Sequence, residues 1–222
     1  MTRGVLKLGG RVAAGEAARA RELHAAGHEV VVVHGAGPQI TAELERRGVR
    51  SRFVEGRRVT DAAALEVVRA SLAAVQADVC NAIGRLALPL AGDEIGLRAV
   101  HVPQLGLVGE ALPCAPPAVL EALAARRIPV VLPLGVGPLN VNADEAAAAL
   151  AVGLGAARIL FASDVPGVVV DGAVAAELSA TRAAGLLSDG AFEGGIVPKL
   201  LAAVRSARHG IRTEIGSTVV SA

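Results

Sequence analysis

Two lysines stand near opposite ends of the 222-residue chain, each close to a glycine pair: Lys7 in Lys7-Leu8-Gly9-Gly10, and Lys199 in Gly194-Gly195-Ile196-Val197-Pro198-Lys199. Between them lie His34-Gly35-Ala36-Gly37-Pro38, Gly56-Arg57-Arg58-Val59-Thr60-Asp61, Asn140-Val141-Asn142-Ala143-Asp144 and Ser163-Asp164-Val165-Pro166-Gly167. Glycine loops let backbone N–H groups approach an anion closely, and ammonium groups add positive charge. Such a set suits phosphate. No His/Asp/Ser apparatus for activating a nucleophile accompanies it. The chemistry is therefore phosphoryl transfer to a group that is already anionic, such as a carboxylate.

Taken singly, each motif has an ordinary reading. Gly35–Ile40 begins like a dinucleotide fingerprint, but Ile40 stands where the third glycine belongs. It can still be an anion cradle or a plain strand-to-helix turn. Lys7 alone is a lysine at a strand end, and Gly194-Gly195 alone is a loop. No G-x-x-x-x-G-K-[ST] loop occurs. His34 reads as a structural hydrogen-bonding side chain rather than a general base. Asp144, with Asn140 and Asn142, reads either as a helix cap or as an acid that orients cations while an asparagine binds substrate. Asp164 alone is a turn residue before Pro166.

The elements that must hold these residues alternate. Val5–Leu8 is an apolar run ending in Gly-Gly, and Ala14–Ala26 is helical and closed by Gly27. Glu29–Val33 contains four consecutive valines and reads as a buried strand; Gln39–Arg47 is helical, with Pro38 at its start. Asp61 caps a long helix reaching Asp78 or beyond. Leu86–Leu90 and Val130–Leu134 read as strands, Leu97–Val108 as a hairpin, and Ala118–Arg126 as a helix. Asp144–Leu154 is an alanine-rich helix followed by a strand at Arg158–Ala162. Asp171-Gly172 marks a second hairpin. Pro198–His209 is helical and Arg212–Ile215 is a closing strand. The alternation implies an α/β fold, a mostly parallel sheet covered on both faces. Ligands bind such sheets beyond the carboxyl ends of the strands, where Lys7–Gly10, residues 34–37 and Ser163-Asp164 all follow strands.

Composition narrows the function. Apolar residues make up 53% of the chain, yet Trp and Tyr are absent and Phe occurs three times. The core must be built from Ala, Val and Leu, and stacking on single-stranded nucleic acid is disfavoured. A net charge of +1 provides no global field for nucleic acid or membrane. Arg46, Arg47, Arg50, Arg52, Arg57 and Arg58 are a local exception. They read as a solvated helix end and loop, or as an anion or acidic-partner patch. Cys80 and Cys114 have no metal-ligand spacing, and the N-terminus has no signal-peptide pattern. A reduced, cytoplasmic protein is the expectation. The uncharged stretch Ile128–Ala143 is broken by three prolines and too short for a membrane span.

Together, in this order, the motifs resemble those of the amino-acid kinase family. The strongest are K-L-G-G, V-H-G-A-G-P-Q-I, F-V-E-G-R-R-V-T-D, N-V-N-A-D-E-A-A, S-D-V-P-G-V and G-G-I-V-P-K-L. Within the family they look most like the branch that phosphorylates N-acetyl-L-glutamate with ATP. The resemblance implies a three-layer αβα sandwich, with an acetylglutamate-binding, dimerising lobe at 1–156 and an ATP-binding lobe at 157–222. It implies that Lys7 and Lys199 stabilise the transferring phosphoryl group and that Asp144 holds them. Gly35, Ala36, Gly37, Arg58 and Asn140 would bind substrate. Lys7, Gly9, Gly10, Ser163, Asp164 and Lys199 would serve ATP, with Mg²⁺ held by ATP oxygens and water and no protein metal ligands. The cytoplasmic homodimer it implies would be arginine-insensitive, since no extension precedes Met1. An acidic carrier protein bearing the acceptor is the alternative partner, and a non-catalytic regulatory protein of this fold is the other. The chain departs from the family pattern at Ala36, where a glycine is usual, and at Arg11. At the C-terminus, the final helix and closing strand are expected to be missing.

Overall fold

The computed structural model describes residues 2–10, 13–162 and 165–222. Its centre is an eight-stranded sheet made of β1 (Arg3–Leu8), β2 (Glu29–His34), β3 (Ala87–Ala91), β4 (Ile128–Leu132), β5 (Arg158–Ala162), β6 (Glu177–Ser179), β7 (Arg212–Ile215) and β8 (Thr218–Ser221). The strand order is β6-β8-β7-β5-β1-β2-β4-β3. From β7 to β3 all neighbours run parallel, while β8 is antiparallel to β7 and β6 follows β8. Besides a single turn at Gly92–Ile95, the helices are α1 (Ala13–Ala25), α2 (Gly37–Arg46), α3 (Ala62–Ile83), α4 (Pro117–Ala124), α5 (Ala143–Gly153), α6 (Ala180–Ser188) and α7 (Ile196–Ala207).

Side chains on a strand alternate between faces, and here both faces are covered. Leu6, Leu8, Val30, Val32 and Val130 join one core with α1, α2 and α3. Val5, Val31, Val33 and Val131 join the other with α4, α5, α6 and α7. That is why Val30–Val33 is continuously apolar: all four of these positions are buried. The mostly parallel, doubly covered sheet expected from the alternation, and the αβα sandwich that the resemblance implies, are the fold observed.

The lack of large side chains has a geometric result. In α5, Ala146, Ala147, Ala148, Ala149 and Ala151 are at most 1% exposed, so the helix is surrounded on all sides. Short side chains let backbones approach closely. At Gly153 a Cβ would lie 2.1 Å from the Cys114 carbonyl oxygen, so no larger residue fits there.

Asp61 caps α3 as expected, accepting from the Ala64 N–H at 2.8 Å. Asp171-Gly172 joins Val169–Val170 to Ala173–Val174, with both turn residues at positive φ as a type I′ turn requires. The hairpin expected at Leu97–Val108 pairs Ala99–His101 with Val108–Ala111. It belongs to a small four-stranded sheet with Leu139–Val141 and Leu134–Gly135. The C-terminal expectation is overturned for the strand alone: among the described residues no helix follows β7, but a closing strand is present. Gly216-Ser217 turns the chain back, and β8 enters the main sheet between β7 and β6. The buried Thr218 hydroxyl anchors it, accepting from Val168 N–H at 2.8 Å and donating to Ala175 carbonyl at 2.6 Å. One partner of β8 is its hairpin neighbour β7, but the other, β6, lies far back in the chain, so a short Thr-Val-Val run gave no local sign of its sheet position.

His34 ends β2 and is completely buried, and neither ring nitrogen has a hydrogen-bond partner. Burial lowers its pKa from 6.5 to about 4, with the Gly35 backbone opposing. The native imidazole is therefore neutral where the unfolded one takes up a proton, and stability falls as pH drops from about 6.5 towards 4. Between pH 7 and pH 4.5, His34→Leu is expected to remove about 2–3 kcal/mol of acid destabilisation, measured by urea unfolding. An unchanged pH dependence in this variant would refute a neutral native His34.

Candidate active site

Lys7 shares its face of β1 with Val5 and so points towards α5 and α7. Its ammonium lies 2.8 Å from Asp144 Oδ1. The Lys199 ammonium donates to the same oxygen at 3.2 Å. Asp144 occupies the first turn of α5 because Asn142, not Asp144, caps that helix. The Asn142 side-chain oxygen accepts from the N–H groups of Asp144 (2.8 Å) and Glu145 (3.3 Å). Lys199 lies in the first turns of α7, directly after Pro198. All three charges are at most 8% exposed.

Burial alone would raise the pKa of Asp144, but the two ammonium groups outweigh it and hold the carboxyl below its ordinary value. Burial lowers the pKa of Lys199; Asp144 opposes this, and the like charge of Lys7 adds to it. Lys199 also lies 5.6 Å from the Phe161 ring centroid. Two buried cations share one anion, which leaves a net positive centre for a ligand anion to complete.

That centre faces a cleft of about 690 Å³ at the carboxyl ends of β1, β2 and β5. Gly9, Gly10, Gly35, Ala36, Gly37 and Gly195 line it alongside the charged residues. Neither α2 nor α7 has a side-chain cap at its N-terminus, and although Val197 N–H is bonded to the Gly194 carbonyl, the helix ends still present positive dipole to an anion. Ala36 adopts φ −139°, ψ 28°, so an alanine meets no positive-φ strain where the family usually has glycine. The glycine at position 10 suits a tight approach: a Cβ there would lie 2.7 Å from Gln39 Oε1 and 3.1 Å from Ala36 Cα, so Gln39 would have to move and the backbone to give slightly. Ser163, Asp164 and Arg11 lie outside the described residues.

A second part of the cleft is built by a hairpin pairing Phe53–Val54 with Arg57–Arg58. Arg58 is 6% exposed. Its guanidinium donates to Thr41 Oγ1 (2.8 Å), the Gly37 carbonyl (3.2 Å) and Ser51 Oγ, and it lies 4.5 Å from the Phe53 ring. No carboxylate among the described residues pairs with it, and burial lowers its pKa. Asn140 Nδ2 donates to Thr60 Oγ1 at 2.9 Å, and Thr60 Oγ1 donates to the Arg58 carbonyl at 2.7 Å. Asn140, Thr60 and Arg58 thus form one connected wall.

The remaining arginines of the run go elsewhere. Arg46 and Arg47 bind Glu43 on their own helix, and Arg57 binds Glu145 and Glu110. Thr41, Ser51, Phe53 and Thr60 carry no site role in the sequence reading, whereas Asn142 is read there with Asn140 and Asp144 as a cap or a substrate-binding asparagine. Asn142 stands two residues before Asp144, a cap signal available in the sequence. Thr41 and Ser51 carry no such signal.

A three-layer sheet with a cationic, glycine-walled cleft at its strand ends defines a phosphate-handling α/β protein. Residues 2–217 match the amino acid kinase family, and the chain belongs to it. It is 40% identical to the acetylglutamate kinase of Rubrobacter xylanophilus over 221 residues, covering 95% of this chain and 87% of that one. It is 38% identical to the acetylglutamate kinase of Acidiphilium cryptum, with 97% of this chain and 81% of the relative covered. A solved protein of Streptococcus mutans UA159 superposes with a TM-score of 0.90 at 26% identity, covering 99% of this chain and 98% of its own.

Asp144→Asn leaves two buried ammonium groups without their counter-ion. It is expected to cost about 3–5 kcal/mol in urea unfolding. Adding Lys7→Met should recover part of this by removing one of the two like charges. No recovery in the double variant would show that the loss is not electrostatic.

Proposed function

We propose that the chain transfers the terminal phosphoryl group of ATP to the side-chain carboxylate of N-acetyl-L-glutamate, giving N-acetylglutamyl 5-phosphate for arginine biosynthesis. One observation carries the reading. The buried Lys7–Asp144–Lys199 group and the acid-free guanidinium of Arg58 line the same cleft. The first suits phosphate and the second suits a carboxylate.

The acceptor carboxylate is ionised at neutral pH, with an ordinary pKa of about 4.3, so no general base is needed. The barrier is the approach of one anion to another. Lys7 and Lys199 place positive charge against the phosphoryl oxygens, and Asp144 fixes both ammonium groups before substrate arrives. The N–H groups of Gly10, Ala36 and Gly37 add preorganised dipoles. Arg58 binds the acceptor through the donors left after its bonds to Thr41, Ser51 and Gly37. Asn140 uses one N–H of Nδ2 on Thr60, which leaves its second N–H and its oxygen for substrate. Gly35 completes the acceptor wall.

The nucleotide side consists of Lys7, Gly9, Gly10 and Lys199, with Ser163 and Asp164 proposed beside them. Asp144 is already engaged by two lysines, and Glu193 is the other carboxylate among the described cleft residues. No metal-binding group of three His, Cys, Asp or Glu is found among the described residues. This donor set fits Mg²⁺ carried on nucleotide oxygens and water rather than in a protein cage; bound there, it would neutralise phosphate charge. Among the described residues no helix is long and apolar enough to cross a membrane. We place the enzyme in the cytoplasm as a homodimer, with residues 1–156 as the acceptor lobe and 157–222 as the nucleotide lobe. The presence of β8 removes the main reason for reading the chain as non-catalytic.

Incubation with Mg-ATP, N-acetylglutamate and hydroxylamine should trap the acyl phosphate as a hydroxamate. Lys199→Ala is expected to lower kcat by about 100-fold or more. Arg58→Ala should act chiefly on the acceptor KM. Absence of hydroxamate from folded, ATP-binding protein would sink the proposal.

A further inference from the structure

Arg57 and Arg58 are neighbours in the chain with opposite surroundings. Arg58 enters the cleft with no acid partner. The fork of Arg57 is filled: Nε lies 2.8 Å from Glu145 Oε1 and Nη2 lies 3.2 Å from Glu145 Oε2. The same Nη2 is 3.2 Å from Glu110 Oε2, whose other oxygen is 2.9 Å from Arg205 Nη2. Arg57 therefore has no free bidentate face for substrate, although it borders the cleft.

The partners lie next to the catalytic charges. Glu145 follows Asp144 on α5, and Arg205 is on α7 with Lys199. Two further ties point the same way. The Gly56 carbonyl accepts from Asn142 Nδ2 at 3.1 Å. Gly56, at φ +77°, rests against Pro198, where an added Cβ would meet the ring at 3.0 Å. The hairpin itself has only two residues per strand, and so small a ribbon is not stable alone. Arg57 and Glu145 side chains are 16% and 12% exposed, so water screens their attraction less than that of a surface pair.

We propose that Arg57 is a positioning residue. With Glu145 it clamps the hairpin onto the two helices that carry Asp144 and Lys199, and so holds Arg58 in register with the phosphate-binding charges. Arg57 acts through Arg58 and touches no substrate. Loosening the clamp lowers the fraction of molecules with Arg58 in place. The acceptor then binds more weakly in proportion, while the nucleotide side is untouched. The kinetic part of this inference rests on the acceptor assignment above; the conformational part does not.

A single neutral substitution would strand a buried charge, so the test uses Arg57→Met/Glu145→Gln, with Arg57→Lys as a second variant that keeps the charge but loses the fork. Hydrogen exchange of the ligand-free protein should become about tenfold faster or more at amides 52–59 in the double variant and stay unchanged in β1 and β2. The acceptor KM should rise about tenfold with the ATP KM within about twofold and kcat little altered, and Arg57→Lys should fall between. Unchanged exchange at the hairpin overturns the clamp. So does a parallel rise of both KM values, or a fall in kcat at constant KM. If wild type makes no hydroxamate but hairpin exchange still accelerates in the variants, the acceptor assignment fails and the clamp stands.

Discussion

One carboxylate oxygen holds the site together. Lys7 and Lys199 are separated by most of the chain, yet both ammonium groups rest on Asp144 Oδ1. Burying two like charges side by side is unfavourable, and the shared anion makes it tolerable. The anion must then reach both cations at once. This demands that α5 lie directly over β1 and that α7 lie directly beside α5. The long-range architecture serves that requirement: β1 sits mid-sheet between β2 and β5, and α5 is enclosed by its neighbours.

Close packing is what makes such reach possible. The alanine run of α5 removes bulk between helix and sheet, and Gly153 lets α5 end against the Cys114 backbone. A core with larger side chains would push α5 outward and separate Asp144 from Lys7. The same economy of side chains appears in the phosphate cradle, where the Gly10 and Ala36 loops nearly touch. Low aromatic content, which first reads as a limit on ligand stacking, is in the folded chain a condition for bringing charges together.

The hairpin at residues 53–58 links this charge centre to the acceptor wall. Its two arginines divide the work: Arg57 is neutralised by Glu145 and Glu110, while Arg58 keeps its charge open to the cleft. The division follows from strand alternation. Adjacent residues on a strand point to opposite faces, so one meets the helix acids and the other meets Thr41, Ser51 and Phe53.

The sequence by itself determined whatever depends on local backbone preference and periodicity. Four valines made β2 a buried strand, Asp61 capped α3, and Asp171-Gly172 turned a hairpin, because each is governed by a few consecutive residues. The order of glycine, lysine and asparagine motifs along the chain also pointed to the family and to Lys7, Arg58, Asn140, Asp144 and Lys199. Tertiary structure alone decided which of these residues meet, and in what state. Asn142 rather than Asp144 capped α5, which freed Asp144 for the lysines. His34 was enclosed in the core, Arg57 and Arg58 separated, and β8 was paired with β6, far back in the chain, as well as with its neighbour β7. Side-chain partnership and burial are set by packing across long sequence separations, where no local pattern carries the information.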